Sequence, residues 1–180
     1  MAWDKDKMET LKQLVIATMK RLRHTAVPFY LYSYAPTDEL VCLREFDIMA
    51  KELQYQGHSV DCHYLSQLLI EALQNLDYLD EETLNEEDQT FLDIEENLRI
   101  RLPKELVSLL NVALKGDRSH CTILLRAGSL YPFVHPSTLL SQMEAVIHTT
   151  VVLPFPGRKD GPMLGDLQYA GRSYYHGTWL

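Results

Sequence analysis

Short segments rich in β-branched and aromatic residues alternate along this chain with longer segments of helical periodicity. The segments "VPFYLYSY" (27–34), "HSVDCHYL" (58–65), "HCTILLRA" (120–127) and "TTVVLPF" (149–155) have the composition and length of strands. Because strands separated by helices favour right-handed βαβ crossovers, they predict a parallel sheet with helices on both faces. The third segment is apolar on both faces, so we expect it to lie inside the sheet. The sequence therefore predicts a three-layer α/β domain.

Between the strand segments, apolar residues recur every three or four positions, which is typical of amphipathic helices. Gly57 and Gly116 close two of these segments, since glycine readily adopts the conformation that ends a helix. We expect Thr37 or Asp38, and then Ser66, to cap helices, and Pro103 to lie in a first turn. The predicted helices cover residues 8–22, 40–56, 67–76, 102–116 and 137–147, and the acidic stretch before residue 102 adds further helix.

Length and composition favour a single domain. With 180 residues, of which 46% are hydrophobic and 23% charged, the chain can bury one substantial core. We assign residues 1–180 to one α/β domain, with an N-terminal amphipathic helix in 1–26 and an acidic helical insertion in 77–116. No apolar run approaches the roughly 20 residues of a membrane span, so we expect a cytoplasmic protein.

The three cysteines do not have the arrangement of a disulfide framework. Cys42, Cys62 and Cys121 are odd in number, widely spaced and set among apolar residues. Free cysteines in such surroundings are usually buried. We therefore expect all three to be buried, reduced thiols.

The formal net charge of −8 argues against tight binding of the isolated chain to nucleic acid, because neutralising phosphates requires clustered Lys and Arg. Most of the excess lies in residues 77–96, which contain ten acidic residues and no basic one. This acidic run is either a solvated surface or a docking surface for a basic partner.

Two loops were candidates for binding phosphate. A phosphate loop after the first strand would have the pattern G-x-x-x-x-G-K-[ST], but "SYAPTDELVCL" (33–43) has neither glycine nor lysine and places Asp38 and Glu39 at a helix start. The second loop, in 151–164, contains three prolines that remove backbone donors. It fits two successive turns, Pro156-Gly157 and Asp160-Gly161. Neither loop predicts a nucleotide site.

Other groupings of reactive residues give no stronger indication. Cys62 and His63 are adjacent in a predicted strand, as are His120 and Cys121, so each pair points to opposite faces and is poorly placed to share a metal. No serine has a Gly-x-Ser-x-Gly elbow, although a Ser–His–Asp triad assembled in space stays open. The carboxylates Asp47, Glu71 and Asp160 have no paired spacing. The sequence predicts no catalytic, cofactor-binding or metal-binding residues.

The tail, residues 167–180, is rich in large aromatic side chains. Tyr169, Tyr174, Tyr175 and Trp179 lie within fourteen residues, whereas solvated tails are poor in aromatics. We therefore expect the tail to fold onto the domain and to present part of a docking face.

Four stretches together resemble the BrxB component family of the BREX anti-phage defence systems. They are "PFYLYSYAPTDEL" (28–40), "FDIMAKELQYQGHSVDCHYLSQLLIEAL" (46–73), "ILLRAGSLYPFVHPSTLLSQM" (123–143) and "PFPGRKDGPMLGDLQYAGRSYYHGTWL" (154–180). The R-x-G-x-L-Y-P-F block, followed by P-G-x-x-D-G and a Tyr-Tyr pair, carries most of the specificity. The chain departs from the family after the tyrosines, where His176-Gly177-Thr178 replaces the expected Arg-Ala-Phe.

The resemblance implies a part of a multi-protein machine that methylates host DNA and blocks phage replication. In such a machine a methyltransferase, a large ATPase and the phosphatase-like PglZ supply the recognisable chemistry. The family is similar to degenerate P-loop folds, which agrees with the missing phosphate loop. The leading interpretation is a non-catalytic adaptor, without a cofactor, that docks PglZ and other BREX subunits. Association of this chain into a homo-oligomer stays open.

Two alternatives stay open from the sequence. One is an enzyme of unrecognised type, a nucleotide hydrolase or a nuclease, whose polar groups would converge at Arg126, Tyr131 and Asp160. The other is a DNA-associated subunit that uses Arg158, Lys159 and Arg172. Arg126 stands at the end of a predicted strand, before Gly128, and we expect it to pair with a carboxylate that fixes its loop, the alternative being a bound anion.

Overall fold

The computed structural model describes residues 3–21, 28–79, 91–114, 116–134, 136–144, 146–157 and 178–180. The strands are β1 (Phe29–Tyr34), β2 (Ser59–Tyr64), β3 (His120–Leu125), β4 (Thr150–Pro156) and β5 (Thr178–Trp179). The helices are α1 (Lys5–Met19), α2 (Glu39–Tyr55), α3 (Leu65–Asn75), α4 (Phe91–Ala113) and α5 (Pro136–Met143). Two short 3₁₀ turns follow β1 and β3, at Pro36–Asp38 and Ala127–Leu130.

The strands form one parallel sheet in the order β2-β3-β4-β1-β5. Phe29 pairs with Val151, and Ser59 pairs with His120. All four predicted strands are present, and β3 lies inside the sheet as expected. A fifth short strand, β5, is added from the tail.

Strands β1, β3 and β4 contribute alternate side chains to two separate cores, which lie on opposite faces of the sheet. In β1, Phe29 and Leu31 pack on one face, while Tyr30, Tyr32 and Tyr34 pack on the other. The first face is covered by α3, α4 and α5, and the second by α1 and α2. The predicted three-layer α/β architecture is therefore confirmed.

The helix boundaries follow from local chemistry at several ends. Asp4 caps α1, because its carboxylate accepts a hydrogen bond from the Lys7 backbone N–H at 2.9 Å. Gly57 follows α2 with a φ of +86°, the left-handed conformation predicted for it. Asp38 is the residue before α2, but its side chain makes no capping hydrogen bond.

The roles predicted for Pro103 and Ser66 at helix starts were wrong, and the predicted helices 8–22 and 137–147 end earlier, at Met19 and Met143. Pro103 lies inside α4 and not in its first turn. The reason is a stripe of buried leucines that continues on both sides of the proline. The free energy gained by packing this stripe outweighs the loss of one backbone hydrogen bond at the proline. Its members are Leu98, Leu102, Leu106, Leu110 and Leu114. Ser66 does not cap α3, because β2 runs directly into that helix and Tyr64 stands at the cap position.

The end of the chain is tied to the sheet, as predicted for the tail. Thr178 pairs with Tyr30 in the parallel register of β5 and β1. The Leu180 N–H donates to Leu31 O at 2.9 Å, and Leu180 O accepts from the Ser33 N–H at 3.1 Å. Tyr169, Tyr174 and Tyr175 lie outside the described residues.

Candidate functional site

The loop after β1, the turn after β3 and the end of β4 meet at the carboxyl edge of the sheet, where ligands of open α/β sheets bind. Tyr34 at the end of β1 lies beside Pro156 at the end of β4, and the Gly157 N–H donates to Tyr34 O at 2.8 Å. A Cβ added to Gly128, in the turn after β3, would lie 3.0 Å from Pro156 Cγ. The loop after β1, the turn after β3 and the end of β4 with Gly157 therefore form one continuous surface.

The loop after β1 has the wrong groups for binding a phosphate. Its short 3₁₀ turn leads directly into α2, whose first residue is Glu39. The Tyr34 hydroxyl donates a hydrogen bond to the Glu39 carboxylate, and this bond together with burial raises the pKa of Tyr34. Asp38 adds a second carboxylate at the same helix end. Negative charge thus already occupies the position where the helix dipole would favour an anion.

A pocket of about 200 Å³ lies beside this loop, between α1 and the end of β1. The Lys7 ammonium donates to Ser33 O at 2.5 Å and to Ser33 Oγ at 3.1 Å, and it lies 4.2 Å from the centre of the Tyr32 ring. Burial lowers the pKa of Lys7, while Asp4 opposes that shift. Trp3 stacks on Tyr32 with ring centres 5.5 Å apart. The contacts of Lys7 with Ser33 and Tyr32 therefore stabilise the packing of α1 against β1.

The loop after β3 exposes two aromatic side chains. Tyr131 is 60% exposed and Phe133 39% exposed, although Leu130 and Val134 on either side are buried. The buried pair fixes the loop, and the Val134 N–H donates to Leu130 O at 2.9 Å. The aromatic rings are therefore presented outward from a well-anchored segment.

Arg126 fixes the start of this loop through its backbone. Its φ of +62° is left-handed, and its carbonyl accepts from the Ser129 N–H at 3.0 Å and from Ser129 Oγ at 2.8 Å. The side chain is exposed, and no carboxylate among the described residues forms an ion pair with it. Within those residues, the predicted carboxylate partner of Arg126 is not found.

Of the residues proposed to converge in an enzyme, the structure brings Arg126 and Tyr131 into one loop. Asp160 lies outside the described residues, as do Arg158, Lys159 and Arg172 and the second of the two predicted turns. The acidic run is described only in part, since residues 80–90 also lie outside.

The cysteine prediction was right for two residues and wrong for one. Cys42 and Cys121 are buried, but Cys62 is exposed. Cys62 belongs to β2, whose place at the end of the sheet leaves it less covered than an interior strand. Burial raises the pKa of Cys42 to about 12 and also raises that of Cys121, and partial desolvation of the thiol raises the pKa of the otherwise exposed Cys62 to about 11. None has the lowered pKa of a reactive cysteine.

The sequence left open a Ser–His–Asp trio assembled in space, without naming its members, and one lies at the opposite, amino edge of the sheet. His120 Nδ1 lies 2.7 Å from Ser59 Oγ, and His120 Nε2 lies 3.1 Å from Asp61 Oδ2. The serine and the aspartate both come from β2 and hold the first residue of β3, so the trio fixes the register of the two strands. No local motif could indicate it, because His120 is 61 residues from Ser59 in sequence.

The described residues contain no group of histidine, cysteine and carboxylate side chains that could hold a metal ion. In the same part of the chain, no helix is both long enough and apolar enough to span a membrane.

Comparison with models of protein families gives a match over most of the described sheet. The model of the family described as "BREX protein BrxB" matches residues 62–178, more than half of the chain, from within β2 into β5. The match includes the aromatic loop after β3. Comparison with curated proteins and with solved structures finds no match. The chain therefore belongs to the BrxB family and is a component of the BREX phage-defence systems.

Proposed function

We propose that this chain is a cytoplasmic, non-catalytic adaptor that docks the phosphatase-like PglZ within the BREX complex. The observation that carries the proposal is the exposed pair Tyr131 and Phe133 at the carboxyl edge of the sheet. Large aromatic side chains on a well-anchored segment are typical of the residues that dominate protein interfaces. Arg126, exposed at the start of the same loop, belongs to another residue type that interfaces favour.

The chemistry around this loop favours a protein partner over a small charged ligand. Pro156 and the buried Leu130 and Val134 support the loop with apolar contacts. The neighbouring loop after β1 carries the carboxylates of Asp38 and Glu39. A partner surface with apolar pockets for the two rings and basic groups opposite the carboxylates would be complementary to this edge.

We extend the proposal to the origin of the fold, which we regard as a degenerate P-loop domain. The parallel sheet, and a loop that leads from β1 directly into a helix, provide the place where a phosphate loop would lie. That loop, residues 35–38, contains neither glycine nor lysine. An adaptor that has lost the chemistry of such a fold would keep its layers and lose its phosphate ligands.

Calorimetric titration with ATP and magnesium is expected to detect no tight binding, and a phosphate-release assay no hydrolysis. The reason is the pair of carboxylates at the start of α2, where a phosphate would need backbone donors and a lysine. Micromolar binding that is lost on changing residues 35–38 would contradict the proposal.

Binding of DNA by the isolated chain is expected to be weak and to fall steeply with salt. The basic side chains Lys12, Arg21 and Lys51 already form ion pairs, with Glu52, Asp117 and Asp47 respectively. Few phosphates can then be neutralised, so affinity should collapse toward physiological ionic strength. Fluorescence anisotropy over a salt series measures this, and a sequence-specific complex at physiological salt would favour the DNA-associated alternative.

The direct test of the adaptor proposal is co-purification of the tagged chain with the other BREX subunits. We expect PglZ to be retained through a direct contact, so that the two purified proteins also form a complex without the remaining subunits. Retention of other BREX subunits in the absence of PglZ binding would support an adaptor but reject PglZ as its partner.

A further inference from the structure

Strand β2 forms one end of the sheet, and its outer edge has no paired strand in the part of the chain that the structure describes. It is six residues long, or about 20 Å, and contains no proline, lysine or arginine. Open edges of this kind readily accept another strand, and proteins usually block them with such residues. Val60 O accepts a hydrogen bond from Gln54 Nε2 at 2.7 Å, and a carbonyl oxygen has a second lone pair, so the edge of β2 is competent for pairing.

The two faces of β2 carry different side chains. Val60 belongs to the core beneath α1 and α2, so Cys62 and Tyr64 share that face by strand alternation. Ser59, Asp61 and His63 share the other face. Cys62 and Tyr64 remain exposed, although Val60 on the same face is buried.

The sequence of β2 is complementary to itself in one antiparallel register. When two copies of β2 pair antiparallel about a two-fold axis perpendicular to the sheet, the residue at the axis lies opposite the same residue of the second copy. The corresponding faces of the two strands then lie on the same side of the joined sheet. An axis at Asp61 sets two carboxylates against each other, which is destabilising. An axis at Cys62 instead sets Asp61 opposite His63, and Val60 opposite Tyr64. The His63 ring N–H can donate to the Asp61 carboxylate, and hydrogen-bonded pairs and pairs of aromatic with β-branched residues are favourable cross-strand combinations.

We infer that β2 is a self-association surface, which pairs antiparallel with β2 of a second copy of this chain about an axis at Cys62. The two sheets then become one continuous sheet. Asp61 Oδ2 lies 3.1 Å from His120 within its own chain, so Oδ1 is the oxygen available to His63 of the second copy. The copies meet without opposing like charges along the strand.

The helix that covers this face adds no net charge beside the axis. Asp47 of α2 is close enough to raise the pKa of Cys62, although burial contributes more. Lys51 neutralises Asp47 through a contact of 2.6 Å. Since the whole chain carries a charge of −8, self-association is favoured where the local charge is balanced in this way.

Sedimentation and light scattering of the full chain are expected to give the mass of a dimer. Opposed Cβ atoms in such a pair lie about 5 Å apart, so a short bis-maleimide at mildly alkaline pH should link two copies through Cys62. Cys42 and Cys121 are buried and should not react. In Cys62→Ser the covalent product should disappear while the dimer itself remains.

A charge exchange tests the register. His63→Asp sets two carboxylates against each other on both sides of the axis and is expected to weaken the dimer at least about tenfold. Adding Asp61→Lys to that variant restores opposite charges and should restore the dimer. Thermal melts confirm that each variant is folded. A chain that is monomeric at every concentration, a dimer without a Cys62 link, or a dimer unaffected by His63→Asp would each overturn the inference.

Discussion

The double variant Tyr131→Ser, Phe133→Ser is expected to lose binding to PglZ by at least about 30-fold. Truncation of an interface hot spot costs about 2 kcal/mol or more, which corresponds to that factor. Both rings are exposed in the free chain, so the substitutions remove little of the core. The dissociation constant measured by biolayer interferometry with purified PglZ, together with phage plating efficiency, checks the expectation.

The matched control for this variant is Tyr55→Ser. Tyr55 is 95% exposed and ends α2 at the amino edge of the sheet, far from the proposed interface. The substitution Tyr55→Ser removes an exposed tyrosine and leaves the loop after β3 unchanged, so binding to PglZ should be unchanged. Equal losses in the control and in the double variant would show a nonspecific effect. Full binding by the double variant would reject the aromatic loop as the interface.

Deletion of residues 178–180 is expected to lower stability by roughly 3 kcal/mol. At least the three hydrogen bonds of Leu180 are lost, each contributing about 1 kcal/mol. The Leu180 N–H donates to Leu31 O, and Leu180 O accepts from the Ser33 N–H and from Ser33 Oγ, at 2.9 to 3.1 Å. For a chain of this size the melting temperature should fall by roughly 6–12 °C. Differential scanning calorimetry measures the change.

A side-chain substitution separates the two contributions of the tail. Leu180→Ala keeps the backbone pairing and removes only contacts with the core beneath α1 and α2, where Leu180 is partly buried. Its cost should be about 1 kcal/mol, clearly less than that of the deletion. If the deletion left the melting temperature unchanged, the packing of the tail onto β1 would be refuted. A longer deletion, from Tyr174 to Leu180, should also weaken partner binding if the tail contributes to docking.

The sheet could be predicted because its strands are marked locally. Residues 27–34, 120–127 and 149–155 are apolar, β-branched or aromatic over the length of a strand, and helical periodicity separates them. The loop after β1 could be judged for the same reason, because a phosphate loop is a contiguous pattern that is either present or missing. Family resemblance relied on contiguous blocks too, and the match over residues 62–178 confirmed it.

Other features depended on contacts between distant segments, and the sequence alone did not decide them. Thr178 and Trp179 became a strand only because β1 offered a free edge beside them. Pro103 stayed inside α4 because a buried leucine stripe on both sides outweighed its local preference to begin a helix.

The sequence by itself determined the α/β class, the parallel sheet, the absence of a phosphate pattern and the BrxB family, since each is written in adjacent or regularly spaced residues. Only the tertiary structure decided which side chains face outward. It exposed Cys62 at the end of the sheet, joined Ser59 and Asp61 to His120, and presented Tyr131 and Phe133 beside buried neighbours. The physical reason is that the exposure of a side chain depends on the order of the strands and on which helix packs over it. Both are set by contacts between residues that are far apart in the sequence.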